Sequence, residues 1–415
     1  MVIKDWKSLY KSTLYFLKLI FISKKYDVVF VSSSNFNRGI NGENILLKPM
    51  IDICINNNLK YIVFEDTNLK GLYKNEIRSK SAIPIDFISF VQIILRKIHN
   101  IKYEKPRTLN QTYFQELKIS RILKKLFFRR LNSKVYITLL WNNVTLWRCI
   151  NPSSCIVDYQ HGIIFDGHVG YINDKSPPKI KSDNDIITFV YGEWFKNLLI
   201  TSDNTKFYSK KNVINIGLNK YSEQKKISFN NKKILFTLQL VADFEDKSIN
   251  KSYINIIEKL IAINEEYLSK NDYHIIFKHH PRYSSDDFLD LSSKYDFVSF
   301  DNKTTMKDIL ETVSLHITFN STSAIDAALV GVPTVFINMH EQFSPDEIFL
   351  KQYNYPFQHM IVKDFYDLGI ILKEIEDEEI YKRHSHFVYS WANELYDDFN
   401  ETVFKEFILN KINDA

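Results

Sequence analysis

The feature that most constrains the fold of this chain is a series of short, continuously apolar segments that alternate with helical stretches. Eleven such segments occur, each five to nine residues long and rich in β-branched side chains. They are Tyr26–Ser33, Lys60–Asp66, Ser133–Trp141, Ser154–Gln160, Asp185–Gly192, Asn212–Leu218, Lys233–Gln239, Tyr273–His279, Asp296–Phe300, Leu315–Phe319 and Pro333–Asn338. Strands without polar alternation are typical of parallel sheets that helices cover on both faces. The sequence therefore predicts an α/β protein with doubly wound sheets.

The length of the chain predicts two domains. Its 415 residues exceed what one hydrophobic core usually supports. A polar, lysine-rich linker at 221–232 separates the first six predicted strands from the last five. We expect an N-terminal Rossmann-like domain over 1–220, with a helical insertion at about 67–132, and a C-terminal Rossmann-like domain over 233–373. The two are expected to face a cleft, and residues 374–415 are predicted to form helices that could cross back to the first domain.

Composition limits the compartment and the partners. Hydrophobic residues make up 45% of the chain and charged residues 25%, as in ordinary soluble proteins. The net charge of +5 is small, and the basic residues lack an aromatic platform pattern, so no nucleic-acid partner is predicted. Three cysteines fit neither a zinc motif nor a disulfide framework, which favours the reducing cytoplasm.

An apolar segment near the N-terminus bears on membrane association. The segment Ser8–Tyr26 is interrupted by Lys18 and is too short to span a bilayer. It also lacks the small-residue cleavage site of a signal peptide. We predict a helix packed on the first domain. The alternative is a peripheral contact with the cytoplasmic face of the inner membrane through its lysines and aromatic residues.

Two predicted strands of the C-terminal domain end in groups that suit an anionic ligand. The strand Tyr273–Phe277 leads into KHHPR, residues Lys278–Arg282, whose cationic groups would repel each other without an anion. The strand Leu315–Phe319 leads into the turn Asn320–Ser323 and a helix of small residues, whose first N–H groups can meet a phosphate. We expect these strands to be neighbours and to form one donor site, the alternative being a solvated basic loop and an ordinary capped helix. Its candidate residues are Lys278, His280, Arg282, Asn320, Ser321, Thr322 and Ser323.

The N-terminal domain also has a polar motif after a predicted strand. The sequence DYQHG, Asp158–Gly162, brings a carboxylate, an amide and an imidazole to one strand end, and His168 follows. Asp158 or His161 could act as general base on an acceptor hydroxyl. Alternatively, His161 could contact phosphate, or a carboxylate could be the nucleophile of a double displacement. Gln160 and His168 are predicted on the acceptor side, and the structural alternative is a polar turn with a core histidine.

The loop Ser32–Glu43 follows the first strand but lacks the GxGxxG spacing of a dinucleotide site. Within it, Arg38 and Glu43 are candidates for acceptor binding, and Glu65 and Asp66, which end the next strand, are secondary candidates. No DxD-like run follows a predicted strand. We therefore expect chemistry that needs neither a metal ion nor a resident cofactor.

In their order along the chain, these motifs resemble those of a known enzyme class. QHG after one strand, HP after another and a Ser/Thr-rich turn after a third resemble GT-B glycosyltransferases of bacterial surface polysaccharides. The class includes capsule-type Kdo transferases, bacterial sialyltransferases and polysialyltransferases and, more distantly, CDP-glycerol glycerophosphotransferases. The similarity covers roughly Cys155–Asn338. Some epimerases and phosphorylases share the GT-B arrangement.

The resemblance implies transfer of a sugar from a nucleotide, such as a CMP-sugar carrying sialic acid or Kdo, to a lipid-linked capsule or lipopolysaccharide O-antigen. In sialyltransferases of this kind, the HP histidine and the Ser/Thr turn hold CMP, and here that role falls on His280, Ser321, Thr322 and Ser323. DYQHG stands where those enzymes carry their acidic motif, which leaves the base and the donor sugar open. A CDP-alcohol-dependent polyol-phosphate transferase and a noncatalytic nucleotide- or glycan-binding assembly protein remain as alternatives.

Overall fold

The computed structural model describes most of the chain as two compact units. The described residues are 3–71, 77–98, 109–140, 143–220, 231–238, 247–279, 289–340 and 344–413. The first unit comprises Met1–Asn219 together with Tyr396–Ala415, and the second comprises Lys220–Leu395. Residues 374–395 therefore group with the second unit, and the chain returns to the first at Tyr396. Most of the predicted linker, 221–230, lies outside the described residues.

The first unit is built on a seven-stranded parallel sheet. Its strands are β1 (Lys24–Ser32), β2 (Tyr61–Glu65), β3 (Ile83–Pro84), β4 (Leu131–Leu139), β5 (Cys155–Tyr159), β6 (Ile187–Val190) and β7 (Val213–Asn215). Its helices are α1 (Trp6–Phe21), α2 (Lys48–Asn56), α3 (Asp86–Ile98), α4 (Leu109–Leu123), α5 (Val144–Ile150), α6 (Lys179–Ser182) and α7 (Glu193–Ser202). The strand order is β3-β2-β1-β4-β5-β6-β7, so the chain starts in the middle of the sheet and winds outward on both sides.

The second unit repeats this plan with a six-stranded parallel sheet. Its strands are β8 (Lys233–Thr237), β9 (His274–Lys278), β10 (Val298–Phe300), β11 (Leu315–Thr318), β12 (Thr334–Ile337) and β13 (Ile361–Val362), in the order β10-β9-β8-β11-β12-β13. Its helices are α8 (Lys247–Lys270), α9 (Leu289–Lys294), α10 (Met306–Leu310), α11 (Ser323–Ala328), α12 (Asp367–Ile375) and α13 (Glu378–Leu395). The helix α14 (Glu401–Asn413) then belongs to the first unit.

The predicted α/β class with two doubly wound parallel sheets is confirmed. All eleven predicted strands are present, and two more, β3 and β13, were missed. Each missed strand has two residues and lies at the edge of its sheet, so its apolar run is too short to be recognised. Between 67 and 132 the described residues form β3, α3 and α4 and a π-helical turn, Lys124–Phe128.

The core of the first unit explains why α1 is part of the fold. Phe16 of α1 contacts Phe64 of β2, with ring centroids 5.8 Å apart. Phe64 in turn stacks on Trp147 at 5.6 Å, and Tyr136 also stacks on that indole at 5.3 Å. These fully buried rings join α1, the sheet and α5 into one apolar cluster. Across the described residues, no helix combines the length and apolarity needed to cross a membrane.

The return of the chain to the first unit depends on Gly217. Its φ is +72°, and a Cβ there would overlap the backbone of Asp398. The close approach lets Leu218 pair with the returning segment: its N–H donates to the Asp397 carbonyl at 2.9 Å, and its carbonyl accepts from the Phe399 N–H at 3.0 Å. A glycine is required because only it tolerates both this φ and this proximity.

Candidate functional site

The order of the strands determines where a ligand can bind in each sheet. In open α/β sheets, ligands bind beyond the carboxyl ends of the strands, at the point where the strand order reverses. This point lies between β1 and β4 in the first unit and between β8 and β11 in the second. The prediction that the KHHPR and NSTS strands are neighbours was wrong, because β8 separates β9 from β11. The sequence does not reveal this reversal, because no local signal shows that β9 and β10 lie on one side of the starting strand β8 while β11 lies on the other.

A buried polar network supports the turn that follows β11. The Thr237 hydroxyl, at the end of β8, lies 2.9 Å from the Ser323 hydroxyl and 2.9 Å from His316 Nε2. His316 Nδ1 lies 3.0 Å from the Thr334 hydroxyl. Complete burial lowers the pKa of His316 to about 3, so the imidazole is neutral at physiological pH. The network therefore joins β8, β11 and β12 directly beneath the predicted donor turn.

Within that turn, the four predicted residues have different surroundings. Ser323 is buried in the network, and its N–H donates to the Ser321 hydroxyl at 3.2 Å. Thr322 is half-buried and makes no side-chain cap to α11. Asn320 is also half-buried, and its Oδ1 is shielded from solvent without a hydrogen-bond partner among the described residues. Asn320 and Thr322 are therefore the side chains best placed to meet a ligand here.

The KHHPR motif is only partly described. Lys278 is buried, and its ammonium donates to the carbonyls of Asp301 at 3.1 Å and Thr304 at 2.5 Å. The His279 ring stacks on Phe300 with centroids 5.4 Å apart. These contacts tie the end of β9 to the loop after β10. The predicted donor residues His280 and Arg282 lie outside the described residues, so their roles stay predictions.

At the end of β5, the predicted catalytic carboxylate is part of a buried ion pair. Asp158 and Lys181 of α6 have no exposed side-chain surface, and Lys181 Nζ lies 2.5 Å from Asp158 Oδ2. The same ammonium lies 4.2 Å from the centre of the Tyr171 ring. Gln160 is equally buried: its Oε1 accepts from the Tyr191 N–H at 2.8 Å, and its Nε2 donates to the Gly162 carbonyl at 2.7 Å. This geometry favours positioning roles for Asp158 and Gln160.

The two histidines of this region both lie close to the aromatic ring of Tyr171. The His161 ring is 6.3 Å from that of Tyr171, and the His168 ring is 5.2 Å from it. His168 Nδ1 accepts the Gly170 N–H at 3.1 Å, so its proton is on Nε2. Burial lowers the pKa of His168 to about 4, which keeps it neutral. The structure therefore brings Asp158, His161 and His168 together. Both histidines are half-buried, and since burial makes His168 a weak base, His161 is the candidate for proton transfer.

The reversal point of the first sheet is lined by residues that the sequence analysis largely missed. Arg38 and Glu43 are exposed, whereas Asn35 and Asn37 of the same loop are buried. Both asparagine Oδ1 atoms lack hydrogen-bond partners in the described part of the chain. Asn37 Nδ2 donates to the carboxylate of Glu65 at the end of β2. Buried amide oxygens are suited to accept hydrogen bonds from ligand hydroxyls.

A guanidinium surrounded by carboxylates supports this loop from below. Arg78 lies 3.1 Å from Glu65, 3.8 Å from Asp66 and 3.2 Å from Asp86. Desolvation raises the pKa of Glu65 and that of Asp86, the latter to about 6. Asp66 accepts from the Ser34 N–H at 3.0 Å, which anchors the start of the loop. The cluster therefore holds the loop against the ends of β1 and β2.

Comparison with known proteins identifies the fold. No protein-family model matches the sequence, and no curated protein is similar to it. Solved structures are similar over nearly the whole chain. The glycosyltransferase SnogD from Streptomyces nogalater has a TM-score of 0.52 at 11% identity, over 95% of this chain and 100% of that one. The UDP-GlcNAc 2-epimerase of Methanocaldococcus jannaschii, in complex with UDP-GlcNAc and UDP, has a TM-score of 0.52 at 14% identity, over 94% of this chain and 100% of that one, and the wall teichoic acid polymerase TagF has a TM-score of 0.51 at 13% identity, over 99% of both chains. The fold is that of the GT-B glycosyltransferases.

Within the GT-B fold, the candidate residues fall into two groups, one for each sheet. The second unit contributes Asn320 and Thr322 at its reversal point. The first unit contributes Asn35 and Asn37 at its reversal point and His161 one strand farther out. Asparagines in a loop are too common to be selected from sequence, and their significance appears only when their burial and strand position are known.

Proposed function

We propose that the protein is a nucleotide-sugar-dependent glycosyltransferase that binds its donor in the second unit. The observation that carries this proposal lies at the reversal point of a GT-B sheet. There, the amide oxygen of Asn320 has no hydrogen-bond partner among the described residues, and the buried network of Thr237, His316 and Ser323 supports the same turn. A similar solved structure, the Methanocaldococcus jannaschii epimerase, is in complex with UDP-GlcNAc and UDP. A rigid turn with an unsatisfied amide oxygen is suited to accept a hydrogen bond from a fixed part of the donor, such as a ribose hydroxyl.

In this proposal, charge comes from the basic motif and hydrogen bonds come from the turn. His280 and Arg282 neutralise the phosphate of the donor, and the buried Lys278 fixes the strand end from which they extend. Asn320 and Thr322 bind the nucleotide, while Ser321 and Ser323 hold the turn.

The first unit supplies the acceptor site and the base. The acceptor hydroxyl binds near Asn35 and Asn37 or beside His161. As the acceptor oxygen forms its bond to the anomeric carbon, the bond from that carbon to the donor phosphate breaks, and the acceptor proton passes to His161. We favour His161 over Asp158 as base, because Asp158 is paired with Lys181 and has no exposed surface.

The identity of the donor is the finer part of the proposal. The motif resemblance supports a CMP-sugar such as CMP-sialic acid or CMP-Kdo, with a capsule or lipopolysaccharide glycan as acceptor. A CDP-alcohol-dependent polyol-phosphate transferase is the second candidate, since the wall teichoic acid polymerase TagF has a similar fold. Product analysis separates the two, because only the second leaves phosphate in the product.

A thermal-shift titration with CMP, CDP and UDP, followed by turnover assays with the corresponding donors, tests the function. We expect one nucleotide to stabilise the wild type and the Asn320→Ala variant to bind it about 3- to 10-fold more weakly, as for one lost hydrogen bond. Asn255→Ala, at an exposed position of α8, is the matched control. Binding without turnover across all donors would favour the noncatalytic alternative, and wild-type affinity in Asn320→Ala would contradict the proposed site.

We further propose that α1 contacts an anionic membrane surface. Its exposed apolar residues recur every three or four positions, as Trp6, Tyr10, Leu14, Leu17 and Phe21. Trp6 is 65% exposed and Phe21 is 76% exposed, while the opposite side of the helix packs into the core. An in-plane helix that buries such a stripe in the interface needs basic residues beside it to meet lipid phosphates.

Lysines supply this charge, since Lys7 and Lys18 are exposed next to the stripe on α1. Co-sedimentation with vesicles of anionic and of zwitterionic lipids tests the contact. The wild type should bind the anionic vesicles, and Trp6→Ser combined with Phe21→Ser should abolish binding. Tyr366→Ser with Ile370→Ser, which removes equally exposed apolar side chains from the second unit, should have no effect. Equal binding of both double variants would contradict the proposal.

A further inference from the structure

Two histidines and a glutamate from three separate elements meet in the second unit. His359 lies in the 3₁₀ turn Gln358–Met360, Glu374 near the end of α12, and His384 within α13. His384 is 2% exposed, Glu374 is 29% exposed and His359 is 46% exposed. The cluster is therefore buried on one side and open to solvent on the other.

The distances within this cluster are those of ligands around a small cation. His359 Nε2 lies 3.2 Å from Glu374 Oε2, and His384 Nε2 lies 3.3 Å from Glu374 Oε1. For a tetrahedral zinc ion with ligands at 2.0–2.1 Å, the edge between two ligand atoms is about 3.3–3.4 Å. One ligand atom from each residue lies within 4.8 Å of the others. The three side chains are therefore close enough to share one ion.

The aromatic packing restrains the buried His384 more than the half-exposed His359. The ring of Phe357 lies 4.1 Å from that of His384 and 5.8 Å from that of His359. The two imidazole rings are 5.7 Å apart. His384 is thus held facing Glu374 by its surroundings, while His359 closes the site from the solvent side.

The cluster lies at the amino edge of the second sheet, opposite the carboxyl edge that holds the proposed donor turn. His359 precedes the first residue of β13 by two positions. The hydroxyl of Tyr381, from α13, donates to the carbonyl of Ser314 just before β11 at 3.0 Å. Lys232, just before β8, lies 3.7 Å from Glu376, two residues beyond Glu374. A cation here would join α12, α13 and the edge strand without taking part in sugar transfer.

We propose that His359, Glu374 and His384 form a binding site for a divalent transition metal, with zinc as the ion that the ligand set fits best. Two imidazoles and one carboxylate are typical zinc ligands, whereas calcium and magnesium select oxygen ligands. Water fills the fourth position on the exposed side. The site is independent of the proposed transferase activity, for which the absence of a DxD-like run after a predicted strand predicts no need of a metal.

Metal titration of tag-free full-length protein, first dialysed against a chelator, tests this site. Cobalt binding is followed by its visible absorption, which is characteristic of the coordination geometry, and zinc affinity by competition with a chromophoric chelator. We expect one equivalent of either ion to bind and zinc to raise the melting temperature. His359→Ala should weaken zinc binding at least about tenfold, since the loss of even an outer partner of a ligand costs this much.

His386→Ala is the matched control, because this exposed histidine lies two residues from His384 on the same helix but outside the cluster. It should bind zinc like the wild type. His359 is half-exposed, so its removal leaves the core intact, and Glu374→Gln provides a second variant of unchanged size. The proposal is overturned if the wild type binds no stoichiometric metal, or if His359→Ala and Glu374→Gln bind it as tightly as His386→Ala does.

Discussion

The buried imidazole of His316 makes the stability of the second unit depend on pH. Its pKa falls from 6.5 to about 3 because the charged form is desolvated, while two threonine hydroxyls bind the neutral ring. Below pH 6.5, the unfolded chain takes up a proton at this position that the folded chain does not. The stabilising contribution is therefore complete above pH 6.5 and is lost as the pH falls through 6.5 toward 3.

The magnitude follows from these two pKa values. At pH 5, protonation of the unfolded chain favours unfolding by RT ln(1 + 10^1.5), about 2 kcal/mol, against about 0.2 kcal/mol at pH 7. His316→Gln keeps a hydrogen-bonding side chain but does not titrate in this range. We therefore expect the free energy of unfolding of the wild type to fall by about 2 kcal/mol more than that of His316→Gln between pH 7 and pH 5.

The assay must follow the second unit by itself, because two units need not unfold together. Urea unfolding combined with pulsed hydrogen exchange meets this need, when read from peptides that cover β11 and β12. His386→Gln, which replaces an exposed histidine of the same unit, should retain the pH dependence of the wild type. If His316→Gln shows the same loss of stability as the wild type on acidification, His316 is not buried as a neutral group and the reasoning fails.

Three further predictions concern the first unit. Gly217→Ala should destabilise it by at least about 2 kcal/mol in urea unfolding, since the added Cβ adopts an unfavourable φ and meets Asp398, and it should expose the C-terminal segment to protease. Lys181→Met should cost about 3–5 kcal/mol by leaving the Asp158 charge buried alone, and Asp158→Leu in the same chain should recover most of the loss. His161→Ala should lower kcat by about 10²–10⁴ in a transfer assay without changing nucleotide affinity; an unchanged kcat would assign the base elsewhere.

The strands and the fold class were predictable from sequence because their signal is local. A strand buried on both faces must be apolar at every position, and such segments can be recognised without knowing their neighbours. The polar ends of β5, β9 and β11 were recognised for the same reason, since polar residues interrupt the apolar runs. The lengths of β3 and β13, two residues each, fall below what this signal can detect.

The roles of the polar residues depended on tertiary contacts. Asp158 lies within β5 and Gln160 directly follows it, in a sheet that is covered on both faces, so both were bound to be buried, yet their partners are distant in sequence. Lys181 pairs with Asp158 from 23 residues away, and Arg78 joins carboxylates from β2 and α3. Neither pairing has a local sequence signal.

The sequence by itself determined that the chain forms two doubly wound parallel sheets whose polar strand ends are candidate ligand sites, because strand formation depends on the burial pattern of consecutive residues. Only the tertiary structure decided which strand ends are neighbours. A chain that starts in the middle of a sheet adds strands first on one side and then on the other, so the strands before and after the reversal are separated by the starting strand. The tertiary structure therefore placed β8 between the two predicted donor strands. It also brought His359, Glu374 and His384 together from three separate elements, which no local sequence pattern predicts to meet.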